Sequence, residues 1–340
     1  MKKILFASTA LVATAGVAAA ELTIGGSARF GLAYNEAQTD ETRIEQRMRV
    51  NITGIAETDA GVKLEARFRL EANEDSHAND ISGRGPGAAG FAVSYGGLRV
   101  DVGNVSDVFD SGDQVDFYGY GIGLTALIEH NSVWYDTAAD IGGFGAGDAD
   151  ATTIKARYNV GDFSASLSYT ETRAQAASTF SIVDTADIDG DGDTTDSVTV
   201  TNDDAVAANE EFQIGLGYTL ANGMTIAAAY GDDDNAGDYY ILNVAGSAGA
   251  LGYSVILGDG DIFDAGGVSG DLAYGASINY EISSATAIQA VVSGGGLDSS
   301  ETAYGLGFTH GLGGGVTLAG GIARDTSENT LADLGVKFSF

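Results

Sequence analysis

The sequence predicts an all-β chain, a transmembrane antiparallel β-barrel of sixteen strands, and three observations carry that reading. Apolar side chains recur at every second position through long runs, the spacing at which a strand turns successive side chains to opposite faces. Tight turns alternate with longer acidic loops between the runs. The second face of the runs is rich in Gly, Ser and Thr rather than Lys and Glu.

The alternation begins at once. Leu22, Ile24, Ala28, Phe30, Leu32 and Tyr34 share one face, and Thr23, Ser27 and Arg29 the other. Ile44, Met48, Val50 and Ile52 alternate with Glu45, Arg47, Arg49, Asn51 and Thr53. Val62, Leu64, Ala66, Phe68 and Leu70 alternate with Lys63, Glu65, Arg67, Arg69 and Glu71. Later runs have quieter second faces. Phe212, Ile214, Leu216 and Tyr218 stand against Gln213, Gly215, Gly217 and Thr219, and Leu272, Tyr274, Ala276, Ile278 and Tyr280 against Gly275, Ser277, Asn279 and Glu281. The last run sets Leu334, Val336, Phe338 and Phe340 opposite Lys337 and Ser339.

Tight turns fall at 58–61, 160–162, 221–223, 283–284 and 313–315. Longer acidic connections fall at roughly 35–43, 73–90, 104–151, 173–210, 232–238, 259–271, 297–300 and 324–331. Turns on one side and loops on the other are the layout of an outer-membrane barrel. A soluble β-sandwich also alternates, because one face packs on a core. Against it stand the small uncharged second face and the run length. The runs are about ten residues long, as in a tilted membrane strand, not the five or six of ordinary sheets. Tyr34, Tyr158, Phe163, Tyr218, Tyr280 and Phe308 lie near run ends, where interface girdles are built. The count is sixteen if 104–151 is one loop. It becomes eighteen if Ser132–Val133–Trp134–Tyr135–Asp136–Thr137 is a strand paired with one near 141–147.

Residues 1–20 read as a signal peptide. Lys2 and Lys3 precede an apolar stretch from Ile4 to Val17, and Ala18–Ala19–Ala20 supplies a small-residue cleavage site. An uncleaved anchor is the alternative, but no basic stop-transfer flank follows. Residues 21–340 then form one barrel domain. Cysteine is absent, so the fold uses neither disulfides nor thiolate-bound zinc. Sixteen Lys+Arg against 48 Asp+Glu give −32, and removing Lys2 and Lys3 takes this to −34. Such a charge repels nucleic acid. It suits disorder only when apolar residues are few, and here they make up 44%. Pro86 is the one proline, which suits a chain of paired strands.

The chain resembles the general porins of alphaproteobacteria, the Rhodobacter-like family. The residues that carry the likeness are Gly311–Leu312–Gly313–Gly314–Gly315, Gly320–Gly321–Ile322–Ala323 and Leu334–Gly335–Val336–Lys337–Phe338–Ser339–Phe340, with Val102–Gly103–Asn104–Val105–Ser106 at the start of the long loop. The terminal phenylalanine is similar to the assembly signal of outer-membrane proteins. The resemblance implies a homotrimer of barrels in outer-membrane lipid and lipopolysaccharide, each with its third outer loop folded into the lumen. It implies passage of small hydrophilic solutes and ions. The negative charge points to a preference for cations.

Arg29, Arg47, Arg49, Lys63, Arg67 and Arg69 fall on the polar parity of three successive runs and would form one positive patch on the lumen wall. One reading pairs them structurally with Glu45, Glu65 and Glu71. The other makes them half of a pore constriction that faces an acidic loop. Asp107, Asp110, Asp113 and Asp116 open that loop at a spacing of three, which predicts one face of a short helical segment. Asp187, Asp189, Asp191 and Asp193, with Gly192, resemble the first half of a calcium loop, but position twelve is Val198 rather than a bidentate Glu. A solvated acidic loop is the better reading there, with Ca²⁺ binding the alternative; no cofactor is required. Gly121–Ile122–Gly123 lacks the βαβ unit of a dinucleotide site. His77, His130 and His310 lack metal-ligand spacing, and no G-x-S-x-G occurs, so an enzyme is not expected. An adhesin or recognition barrel acting through the 173–210 loop is the second functional reading.

Overall fold

The computed structural model of the chain describes residues 21–73, 88–135, 151–174, 178–183, 197–203, 208–264 and 270–340. The strands run in the order β1 (Glu21–Asn35), β2 (Thr42–Glu57), β3 (Lys63–Asn73), β4 (Gly90–Tyr95), β5 (Leu98–Gly103), β6 (Ala151–Val160), β7 (Phe163–Thr172), β8 (Ser178–Val183) and β9 (Ser197–Asp203). They continue as β10 (Asn209–Thr219), β11 (Thr225–Asp233), β12 (Gly237–Ala248), β13 (Leu251–Gly260), β14 (Asp271–Ser283), β15 (Thr286–Gly296), β16 (Ala303–Gly313), β17 (Val316–Arg324) and β18 (Thr330–Ser339). Sixteen of them close into one antiparallel barrel, each paired with its neighbours in sequence, and β18 returns to pair with β1. The seam is completed by the last residue, where Gly26 N donates to Phe340 O at 2.8 Å and Phe340 N to Gly26 O at 3.0 Å.

The remaining two strands, β8 and β9, form a separate hairpin in the connection between β7 and β10. The barrel therefore has sixteen strands, and the eighteen-strand alternative fails. Its proposed extra strand begins instead as α1, a single helical turn over Ser132–Tyr135. Val133 and Trp134 there are fully buried inside the barrel. Short turns also join β4 to β5 and β12 to β13, at places where the sequence reading marked none. Between β4 and β5, Gly96 and Gly97 have φ of 55° and 88°. A two-residue hairpin of this kind requires positive φ at both positions, which glycine adopts without strain. Residues 1–20 and the segment holding Asp187, Asp189, Asp191 and Asp193 lie outside the described residues.

Exposure is inverted relative to a soluble protein. Leu22 is 65% exposed, Phe30 56% and Leu334 53%, while the residues between them on each strand face inward. Such an apolar belt is stable only against hydrocarbon. Tyr95, Tyr158, Phe163, Tyr218 and Tyr280 ring the short-turn end of this face, and Tyr169, Phe212, Tyr230, Tyr240, Tyr274 and Tyr304 ring the other. Along β10 the two rings are separated from Phe212 to Tyr218, roughly 20 Å of strand.

The apolar core lies inside the barrel. Val108, Phe109, Val115, Phe117, Val133 and Trp134 pack against Tyr239, Ile241, Ile256 and Phe263. All but Phe263 of the second group sit on the inner faces of β12 and β13. Trp134 meets Phe263 edge-on with ring centroids 4.7 Å apart, and Phe109 meets Tyr239 at 5.1 Å.

This register predicts opposite responses on neighbouring residues of β18. Leu334→Arg, on the lipid face, is expected to cost about 2–4 kcal/mol in refolding measurements. Lys337→Gln, on the lumen face, should change stability by less than about 0.5 kcal/mol. The reverse ranking would mean a register shifted by one residue.

Candidate functional site

The long loop after β5 lies along the inner wall of the barrel, and its backbone is hydrogen-bonded to side chains of several strands. Val108 N and Phe109 N donate to Gln213 Oε1 on β10 at 2.9 and 3.1 Å. Asp116 N donates to Asn243 Oδ1 on β12 at 3.1 Å, and Tyr120 N to Ser277 Oγ on β14 at 2.9 Å. Leu124 N and Thr125 N donate to the two carboxylate oxygens of Asp333 on β18, each at 2.8 Å. Val133 N donates to Ser293 Oγ on β15 at 3.2 Å. A loop with no sheet partner of its own thus has many donors satisfied by the wall.

The quiet inner faces of the later strands now have a physical reason. A Cβ added at Gly275 would run into the backbone carbonyl of His130, and one at Gly258 into the indole of Trp134. Gly305 and Gly307 are similarly covered by Ile122. These inward glycines form the bed on which the loop lies.

The opposite wall, β1 to β3, carries the arginines. Arg29 Nε donates to Glu45 Oε1 at 2.6 Å and Arg49 Nε to Glu71 Oε2 at 2.5 Å. Arg69 Nε donates to Asn51 Oδ1 at 3.2 Å. Arg29 stands directly opposite Arg47 on one side and Lys337 on the other. Between the adjoining strands β18, β1 and β2 and the loop is a cavity of about 750 Å³, lined on one side by Arg29, Arg47, Arg49 and Lys337 and on the other by Tyr118 and Glu129 among others.

A closed sixteen-strand barrel with an inward loop and a charged cavity is matched by the family comparison. The model of the Gram-negative porin family matches residues 7–330. The chain belongs to that family. A porin of Fuscovulum blasticum is 29% identical over 338 residues, covering 94% of this chain and 100% of the relative. A porin of Rhodobacter capsulatus is 27% identical over 348 residues, with the same coverage. Among solved structures, an engineered variant of the Rhodopseudomonas blastica porin superposes with a TM-score of 0.69 at 26% identity, covering 94% of this chain and 100% of that one. The protein is therefore an integral β-barrel of the Gram-negative outer membrane.

In this porin the four loop acids do not share a face. Asp107 Oδ1 accepts from Asp110 N at 2.7 Å, and Asp116 Oδ1 accepts from Gly119 N at 2.8 Å. Aspartates that bond their own following backbone favour turns over helix, so the expected helical segment is absent, and the backbone reverses at Gly112 with φ 65°. Asp107 is fully buried against β10, where Gln213 Nε2 donates to its Oδ2 at 3.2 Å. Asp110 accepts from Tyr118 Oη at 2.5 Å and lies within electrostatic reach of Arg69. Asp113 pairs with Lys155 Nζ at 2.9 Å and with Arg157, both on β6. Burial pushes the Asp113 carboxyl up, but Lys155 and Arg157 outweigh that and hold it below the usual carboxylate range.

The arginines Arg29, Arg47 and Arg49 come together on one cavity wall, and Arg67 and Arg69 follow on β3. Lys63 is exposed at the start of β3, away from the cavity. Glu129, Tyr118, Lys155 and Arg157 were missed by sequence reasoning. Lys155 and Arg157 alternate on β6 and were legible as inward positions, but nothing local marks Glu129.

Burial, together with the neighbouring Asp110 carboxylate, pushes Asp107 up to about 7. An unfolded aspartate ionises near pH 4. Between about pH 4 and 7 the docked loop keeps its proton while the undocked one loses it, so docking weakens as pH rises through this window. Proteolytic sensitivity of the loop is expected to increase from pH 5 to pH 8. Asp107→Asn should flatten that dependence; an unchanged pH profile in the variant would rule out Asp107 as its source. Gly275→Ala is expected to lift the loop from its bed, since the new methyl meets backbone, and to alter conductance without loss of the barrel's β-rich spectrum.

Proposed function

We propose that this porin is a general diffusion channel for small hydrophilic solutes and ions, with a preference for cations, and that it works as a homotrimer in outer-membrane lipid and lipopolysaccharide. Residues 1–20 direct export and are removed. The observation that carries the reading is the polar cavity between the wall of β18, β1 and β2 and the loop limb that holds Tyr118 and Glu129. An unobstructed apolar lumen would hold no solute, and a filled one would favour a recognition barrel. Here the cations Arg29, Arg47, Arg49 and Lys337 line one side of the cavity and Glu129 lines the loop side, with Asp110 of the loop within electrostatic reach of Arg69. The transverse field orients dipolar solutes and disfavours apolar ones, which cannot replace the ordered water. The net charge of −34 on residues 21–340 enriches cations at the mouths.

Reversal potential across a salt gradient in planar bilayers tests the reading. The wild-type channel is expected to prefer cations, and Arg47→Gln, Arg49→Gln and Arg67→Gln together should strengthen that preference. No shift, or one toward anions, would place these arginines off the permeation path. Native mass spectrometry in mild detergent should give three copies; a monomer would refute the trimer.

A further inference from the structure

The row Lys337–Arg29–Arg47 is unusual in its register. Lys337 on β18, Arg29 on β1 and Arg47 on β2 are directly opposite one another in consecutive strand pairs. Like charges at directly opposed positions destabilise a sheet. Adjacent strands lie about 4.8 Å apart, so the three Cα atoms span roughly 10 Å. Flexible Lys and Arg stems can bring their heads to one point across that span.

The row is only partly neutralised. Arg29 has Glu45. The next cation down the β2 wall, Arg49, has Glu71. Among the described residues, Arg47 and Lys337 form no salt bridge. Two nearby carboxylates are used elsewhere, Asp113 of the loop by Lys155 and Arg157 and Asp333 of β18 by the loop backbone, while Glu129 lines the loop side of the cavity. All three cations line the same cavity, together with the hydroxyls of Ser27, Thr317 and Ser339. Cationic forks, an ammonium and hydroxyl donors around a space of about 750 Å³ are the donor set that a tetrahedral oxyanion takes.

We propose that the Lys337–Arg29–Arg47 row is a transient binding subsite for phosphate and for the phosphate group of small phosphorylated polyols. It rests on the reading of the cavity as part of the permeation path. The dianionic group relieves the repulsion along the row. The polyol end lies toward Tyr118, Thr125 and Glu129 on the loop, whose acceptors take its hydroxyls. A channel whose mouths favour cations thereby still passes this class of anion, because the cationic row attracts it within the lumen and offsets its depletion at the mouths.

The test is phosphate titration of single channels in planar bilayers, in about 0.1 M chloride salt where charges are screened beyond about 10 Å. Inorganic phosphate, added at constant ionic strength, is expected to reduce the current saturably and to add resolvable interruptions. Arg47→Gln with Lys337→Gln should raise the half-saturating phosphate concentration about tenfold or more. Arg47→Lys, which keeps the charge, should retain most of the effect. Lys63→Gln, which removes one positive charge outside the cavity, should keep the wild-type response. Absence of saturation in the wild type, or the same response in the double variant, would overturn the subsite while leaving the channel intact. A barrel that carries no current at all would instead remove the channel reading on which the subsite rests.

Discussion

An unpaired backbone N–H or C=O has no partner in hydrocarbon, and each one costs several kcal/mol. This constraint governs the porin throughout. It requires that β1 find β18, across nearly the whole length of the chain, and that the final residue complete the seam at Gly26. It requires strands with hardly any proline. It also inverts the usual distribution of side chains, because a wall closed on itself has one face for lipid and one for water.

Closure leaves a lumen, and the long loop occupies part of it. The hydrophobic effect acts here inside the barrel rather than beneath it. Phe109, Phe117 and Trp134 leave water by packing on Tyr239, Ile241 and Phe263. Glycines on the inner faces of β13, β14 and β16 permit the backbones to approach. Side chains of β10, β12, β14, β15 and β18 satisfy the loop's N–H groups. The loop is thus attached along the wall from β6 round to β18, and the arginines of β1 and β2 face the cavity left beside it.

The electrostatic asymmetry follows from that attachment. Carboxylates near the wall are mostly engaged: Asp113 by β6, Asp333 by the loop, Glu45 by Arg29 and Arg43, and Glu71 by Arg49. What remains is a row of aligned cations on the open side and Glu129 on the loop side. Aligned like charges are tolerated because the lumen is wet, where repulsion at strand spacing is about 1 kcal/mol rather than several.

The sequence by itself determined the barrel. The alternation of Leu22, Ile24, Phe30 and Leu32 with Thr23 and Arg29, and the rhythm of turns and acidic loops, are local patterns written in neighbouring residues. So is the inward parity of Arg47, Arg49, Arg67 and Arg69. The sequence marked only part of the turn chemistry: Gly96–Gly97 was passed over because a two-residue turn leaves little trace between two six-residue strands. Only the tertiary structure decided the partners inside. The spacing of Asp107, Asp110, Asp113 and Asp116 promised a single acidic face, yet Asp113 turned to Lys155 and Arg157, forty-two and forty-four positions away. Trp134, set in a segment that was a strand only in the eighteen-strand alternative, became the anchor of a helical turn against Phe263. Glu129 gained its place opposite Arg47 without any local signal. Periodicity and turn propensity act over a few residues, whereas partner choice across a lumen depends on which strands closure brings face to face.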